Sequence, residues 1–130
     1  MKRILVVEDD NSLSVLLRLI MKVQQDDWDV STAATGVEAL SLVEKFQPDL
    51  ILLDIMMPEM DGLEVARRLH GDERYQNPKI VILSALSDPD TQRRAKEAGV
   101  LEYWTKPISP DELRDGMLRV LGPDVDELLL

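Results

Sequence analysis

Asp54 closes the run Leu50-Ile51-Leu52-Leu53, four aliphatic residues without a polar break, and its carboxylate is the candidate reactive group. Glu8 and Asp9 close a second such run, Ile4-Leu5-Val6-Val7. Ser84 closes a third, Ile80-Val81-Ile82-Leu83, and Lys106 follows the alternating stretch Leu101-Glu102-Tyr103-Trp104-Thr105. Unbroken aliphatic runs read as strands buried on both faces of a parallel sheet, where ligands bind beyond the carboxyl ends of the strands. Carboxylates gathered there repel one another and cannot all stay ionised without compensation. A divalent cation removes the conflict. With oxygen donors alone the ion is a hard one, and a few carboxylates with water and a phosphate suit Mg2+ better than Ca2+. Asp54 would then be ligand and nucleophile at once, since carboxylates form acyl phosphates in enzymes. Lys106 would neutralise one oxygen of a phosphoryl group in transit, and the Ser84 hydroxyl would donate to another. Each residue alone has an ordinary structural reading; the joint arrangement at four strand ends argues for one reaction.

The elements that must position these residues follow from the spacing of apolar positions. Leu13, Leu16, Leu17 and Ile20 predict a helix, with Asp10 or Asn11 as N-cap. Trp28, Val30 and Thr32 alternate with Asp29 and Ser31, the pattern of an edge strand with one wet face. Thr35-Gly36-Val37-Glu38 has capping-box spacing, and Val37, Leu40 and Val43 form the apolar face of a second helix. Met57 is held extended by Pro58, Asp61-Gly62-Leu63-Glu64 caps a third helix running to about Leu69, and residues 71–78 read as a polar loop. Asp88-Pro89 opens a fourth helix whose only aliphatic residues between positions 90 and 99 are Ala95 and Ala98, so it is weakly anchored and easily moved. Ser109-Pro110-Asp111-Glu112 caps the last helix, from which Leu113, Met117 and Val120 face inward.

Five strands alternating with five helices predict an α/β fold, a doubly wound parallel sheet of flavodoxin-like type. The aliphatic runs are the first, third and fourth strands and the alternating ones the second and fifth, which fits the order 2-1-3-4-5. Its switch point lies between strands one and three, where Glu8, Asp9 and Asp54 stand.

Composition narrows the partners. The 130 residues suffice for one domain, taken as 1–122, with residues 123–130 as a C-terminal tail or the start of a linker. Fifteen Lys and Arg against 25 Asp and Glu give a net charge of -10, which works against nucleic acid and anionic membranes. The absence of Cys excludes thiolate sites, and the single His70 reads as a solvated residue near a helix end. The first residues form neither a signal peptide nor a span, so a soluble cytoplasmic protein is expected.

Four motifs carry a family resemblance over about residues 2 to 121. They are Ile4-Leu5-Val6-Val7-Glu8-Asp9-Asp10, Pro48-Asp49-Leu50-Ile51-Leu52-Leu53-Asp54-Ile55-Met56-Met57-Pro58 with Asp61-Gly62, Leu83-Ser84-Ala85, and Tyr103-Trp104-Thr105-Lys106-Pro107. Together they resemble the response regulator receiver domain of two-component signalling. The resemblance implies that Asp54 accepts a phosphoryl group from a phosphohistidine on a sensor histidine kinase or histidine phosphotransfer protein. It implies Mg2+ held by Asp9, Asp54 and the backbone carbonyl of Met56, with Glu8 acting through water. Ser84 would close on the phosphate and Tyr103 turn inward, switching the face built from the fourth helix, fifth strand and fifth helix for an output domain or docking partner. Phosphorylation-dependent homodimers through the Tyr103 face are common in the family. Such a domain is a phosphoacceptor, at most self-phosphorylating and self-dephosphorylating, and not a turnover enzyme.

Departures from the family pattern are mild at the chemical positions, Glu8 for Asp and Ser84 for Thr. Met56 and Leu86, two residues beyond Asp54 and Ser84, are apolar where many members are polar, which predicts slow self-dephosphorylation. A haloacid-dehalogenase-like phosphatase is the rival, but it needs an acid where Met56 stands. A flavodoxin-like cofactor binder needs a first loop rich in Ser, Thr and Gly, whereas Glu8-Asp9-Asp10 would repel a phosphate.

Overall fold

The aliphatic runs of the sequence divide residue by residue between two cores. In the computed structural model, which describes residues 1–24 and 27–122, five parallel strands are ordered β2-β1-β3-β4-β5. They are β1 (Arg3–Val7), β2 (Asp29–Ala33), β3 (Leu50–Leu53), β4 (Lys79–Ser84) and β5 (Glu102–Thr105). Because successive side chains in a strand point to opposite faces, Leu5, Val7, Ile51, Leu53, Ile80 and Ile82 enter one core. Ile4, Val6, Leu50, Leu52, Val81 and Leu83 enter the other. Helices α2 (Gly36–Phe46), α3 (Gly62–Leu69) and α4 (Pro89–Glu97) bury their residues in the first core, and α1 (Asn11–Gln24) and α5 (Pro110–Leu121) in the second. Each fully buried aliphatic side chain contributes about 1.5–3 kcal/mol. The doubly wound order expected from the sequence is therefore the one found.

The caps hold their expected places. Asp10 caps α1, accepting from the Leu13 N–H at 3.1 Å, which settles the choice between Asp10 and Asn11. Asp61 accepts from the Glu64 N–H at 2.9 Å and Asp88 from the Thr91 N–H at 3.0 Å. Ser109 and Glu112 form a full capping box. At α2 the box is altered: Thr35 accepts from the Glu38 N–H, but the Glu38 carboxylate reaches the Ala34 N–H instead of its cap residue. Ser109→Ala is expected to cost about 1 kcal/mol in a urea melt, because α5 loses the acceptor for its first turn.

Several helix faces differ from the expected ones. Leu16 is exposed, and Met21 is buried in its stead beside Leu17; Leu13 and Ile20 are half-buried. The stripe is thus turned from the one that the leucines suggest. Val37 is likewise exposed, while Gly36, Ala39 and Val43 are buried; at Gly36 the helix comes so close to Val65 and Met60 that an added Cβ would lie about 3 Å from their side chains. Trp28 is buried but precedes β2, and in β2 Ala33 is buried in place of Thr32. Leu101 is exposed and lies outside β5, where Tyr103 and Trp104 pack against opposite cores. The polar stretch 71–78 contains a short 3-10 helix, Glu73–Tyr75, that buries the Tyr75 ring. His70 is exposed at the end of α3, as expected. In α4 only Thr91, Ala95 and the capping Ala98 are buried, the meagre anchor anticipated from its composition. The expected tail, 123–130, lies outside the described residues.

Candidate phosphoacceptor site

The carboxyl ends of β1 and β3 pair in register, Val7 with Leu53, so the residues that follow them arrive side by side. The Asp54 N–H donates to the Val7 carbonyl at 3.0 Å and fixes the offset. Glu8, Asp9 and Asp54 each offer a carboxylate oxygen within 4.8 Å of the others. Glu8 and Asp54 are buried and Asp9 is exposed, which gives the trio one wet side. Asp10 takes no part, its side chain being committed to the α1 cap.

Lys106, just beyond β5, reaches across to this group. Its ammonium donates to Glu8 Oε1 at 2.6 Å and to Asp54 Oδ2 at 3.2 Å. The Lys106 N–H donates to the Ser84 carbonyl at 2.8 Å, and the peptide bond to Pro107 is cis. Asp54 Oδ1 faces the opposite way and accepts from the Ile55 N–H at 2.8 Å and the Met56 N–H at 3.4 Å. Burial raises the Glu8 pKa above its ordinary value against the opposing bonds from Lys106 and the Asp10 N–H, and the Asp54 charge adds to the rise. Burial works against the Lys106 ammonium too, but the Glu8 bond and the two carboxylate charges outweigh it and raise its pKa. One cation is shared between two buried acids, so the site stays short of positive charge.

A metal fits this donor set. Three carboxylates and no sulfur or nitrogen ligand form a hard-ion site, open on the Asp9 side to water.

Ser84 ends β4 fully buried, and its hydroxyl accepts from the Leu86 N–H at 3.2 Å. The Leu86 carbonyl in turn accepts from the Tyr103 hydroxyl at 2.6 Å. Tyr103 is therefore turned inward, its ring against the first core, and burial raises its pKa. The backbone of Leu86 joins Ser84 to Tyr103, a link that no sequence signal marks, since any residue supplies those groups. Met56 has its backbone at Asp54 and its side chain in solvent. Four of the seven expected residues, Glu8, Asp9, Asp54 and Lys106, thus meet at one edge through their side chains. Met56 touches Asp54 through its N–H, not the carbonyl expected as a ligand, and Ser84 and Tyr103 form a second linked pair on β4 and β5.

Gly62, which the sequence offers as part of a motif and a helix start, makes a close approach that the sequence does not show. A Cβ there would lie 2.1 Å from the Asp54 carbonyl oxygen, and the Gly62 N–H donates to the Ile55 carbonyl at 3.0 Å. The start of α3 thereby presses directly on the backbone that carries Asp54.

Comparison with solved structures defines the class. The chemotaxis protein CheY4 of Vibrio cholerae superposes with a TM-score of 0.84 at 30% identity, over 93% of this chain and 99% of that one. Among curated relatives, sporulation initiation phosphotransferase F of Bacillus subtilis is 33% identical over 120 residues, covering 92% of this chain and 94% of its own. The alkaline phosphatase synthesis transcriptional regulatory protein PhoP of the same organism is 38% identical over 120 residues, which is 48% of its length. The chain thus spans nearly all of the first relative and about half of the second. The family model for the response regulator receiver domain matches residues 4–117. This chain belongs to the receiver domains of two-component response regulators, a signalling family, and the phosphatase rival is not favoured. Among the described residues no helix is long and apolar enough to cross a membrane.

Proposed function

We propose that Asp54 accepts a phosphoryl group from the phosphohistidine of a sensor histidine kinase or histidine phosphotransfer protein. The observation that carries this reading is the convergence of three carboxylates within 4.8 Å with Lys106 Nζ 3.2 Å from Asp54 Oδ2. In the reaction a carboxylate oxygen of Asp54 attacks phosphorus, the P–N bond to the donor histidine breaks, and the imidazole leaves. Mg2+, held by Asp9, Asp54 and the Met56 carbonyl with Glu8 behind a water, would supply charge neutralisation at the phosphoryl oxygens. Lys106 neutralises another oxygen from its place between Glu8 and Asp54. The Ser84 hydroxyl would leave the Leu86 N–H to donate to the phosphate. Its link through Leu86 to Tyr103, beside the thinly anchored α4, would pass the change to the face of α4, β5 and α5. A downstream output domain or docking partner would read that face, and phosphorylation-dependent homodimers would use it. This reading takes residues 1–122 as the receiver unit, in the cytoplasm, with residues 123–130 as tail or linker.

Intact mass after incubation with acetyl phosphate tests the reading. Wild type should gain one phosphoryl group only with Mg2+, and Asp54→Asn none. No gain by wild type in either condition would overturn it. Apolar Met56 and Leu86 leave the attacking water without a partner, so hydrolysis of the phosphorylated form should be slow. Met56→Asn is expected to speed loss of the group by about tenfold, the effect of one added hydrogen bond at the transition state; an unchanged decay curve would reject that assignment.

A further inference from the structure

The six methionines of this chain divide sharply by exposure. Met21, Met57 and Met117 are at most 8% exposed and Met60 is half-buried, whereas Met56 is 56% exposed. Met1, at 76%, is the other open one, and it stands at the opposite end of β1 from the site. Met56 is tied to the phosphoacceptor by its own backbone, since its N–H reaches Asp54 Oδ1. A thioether that exposed is open to oxidation, and its immediate neighbour Met57 is shielded in the core.

We propose that Met56 is a site of reversible oxidation by peroxides, and that its sulfoxide shortens the life of phosphorylated Asp54; this rests on the phosphoacceptor reading above. In the oxidation step the thioether sulfur attacks one peroxide oxygen and the O–O bond breaks. Sulfur gains that oxygen and gives up two electrons, and hydrogen peroxide is reduced to water. The apolar side chain becomes one with a strong acceptor oxygen. At the mouth of the site, beside Asp54, that oxygen accepts a hydrogen bond from a water approaching phosphorus. Water then adds to phosphorus as the bond to the Asp54 oxygen breaks, its proton passing to the departing phosphate. The unmodified thioether is too weak an acceptor to orient that water. Oxidants would thus cut short a signal that the apolar Met56 otherwise prolongs.

The test uses the full chain phosphorylated with acetyl phosphate and Mg2+, freed of donor and exposed to graded hydrogen peroxide. Peptide mass mapping should find sulfoxide at Met56 well before Met21, Met57 or Met117. The first-order loss of the phosphoryl group should quicken by about two- to tenfold in proportion to Met56 sulfoxide. Methionine sulfoxide reductases should reverse both changes. In Met56→Leu, peroxide should leave the decay as it was before treatment. Oxidation of Met56 no faster than Met57, an unchanged decay with Met56 oxidised, or equal acceleration in Met56→Leu would each overturn the proposal. The mapping needs no phosphorylation, so a chain that oxidises at Met56 but takes no phosphoryl group refutes the phosphoacceptor reading, and the lifetime role with it. A phosphorylated chain that fails the mapping or decay test refutes this inference alone.

Discussion

Lys106→Met is expected to slow phosphoryl transfer to Asp54 by about a hundredfold at saturating Mg2+, the usual effect of removing one preorganised donor from a developing charge. The ammonium lies 3.2 Å from Asp54 Oδ2 and is steadied by its 2.6 Å bond to Glu8. It needs no reorganisation when charge builds on the phosphoryl oxygens, whereas water entering a methionine variant would have to turn toward them. The time course of intact mass with acetyl phosphate measures the rate. Uptake at the wild-type rate would reduce Lys106 to a structural counter-ion.

The same variant has a pH signature. Burial already raises the Glu8 pKa while the Lys106 bond holds it down. Methionine removes that restraint and moves the pKa higher. A carboxyl group whose folded pKa is raised binds its proton more tightly in the folded chain. It therefore stabilises the fold below its ordinary 4.5 and costs stability as pH climbs through the folded value. Thermal midpoints of wild type and variant should lie close together near about pH 4 and separate toward about pH 8, the variant falling further. Parallel curves would show that Lys106 does not set the charge of Glu8.

Legibility in the sequence followed the kind of physics involved. Leu50 to Leu53 and Ile4 to Val7 lack any polar position, so burial on both faces and the edge where Asp54, Glu8 and Asp9 meet could be read directly, while the split between buried and alternating strands only fitted the sheet order. Caps were legible for a similar reason: Asp61, Asp88 and Ser109 act on backbone only a few residues away. Helix faces were harder. Leu16 looks inward by type and Met21 does not stand out, but the rotation of α1 is set by the space its neighbours leave. Tyr75 is buried from within a polar stretch because a single ring suffices to cover the core edge there. Ser84 and Tyr103 were named by the family resemblance, but the Leu86 N–H and carbonyl that stand between their hydroxyls are common to every residue and carry no sequence signal.

Gly62→Ala is expected to destabilise the chain by about 3 kcal/mol. That is a large share of the roughly 5–15 kcal/mol that holds a domain of this size together. Gly62 is the first residue of α3 after the Asp61 cap, where helix propensity alone would favour alanine over glycine. The structure reverses the sign. An added Cβ would sit 2.1 Å from the Asp54 carbonyl oxygen and 2.9 Å from the Ile55 Cα, both backbone atoms with no rotamer by which to yield. Relief requires α3 to lift away from the end of β3, which strains the Gly62 N–H bond to the Ile55 carbonyl and withdraws Leu63, Val65 and Ala66 from the first core. The same shift moves the backbone that presents Asp54, so phosphoryl uptake in Gly62→Ala should fall even at temperatures where the variant remains folded. Urea unfolding midpoints measure the first effect and acetyl phosphate time courses the second. A stabilised Gly62→Ala would mean that the contact between α3 and the Asp54 backbone does not govern the placement of Asp54.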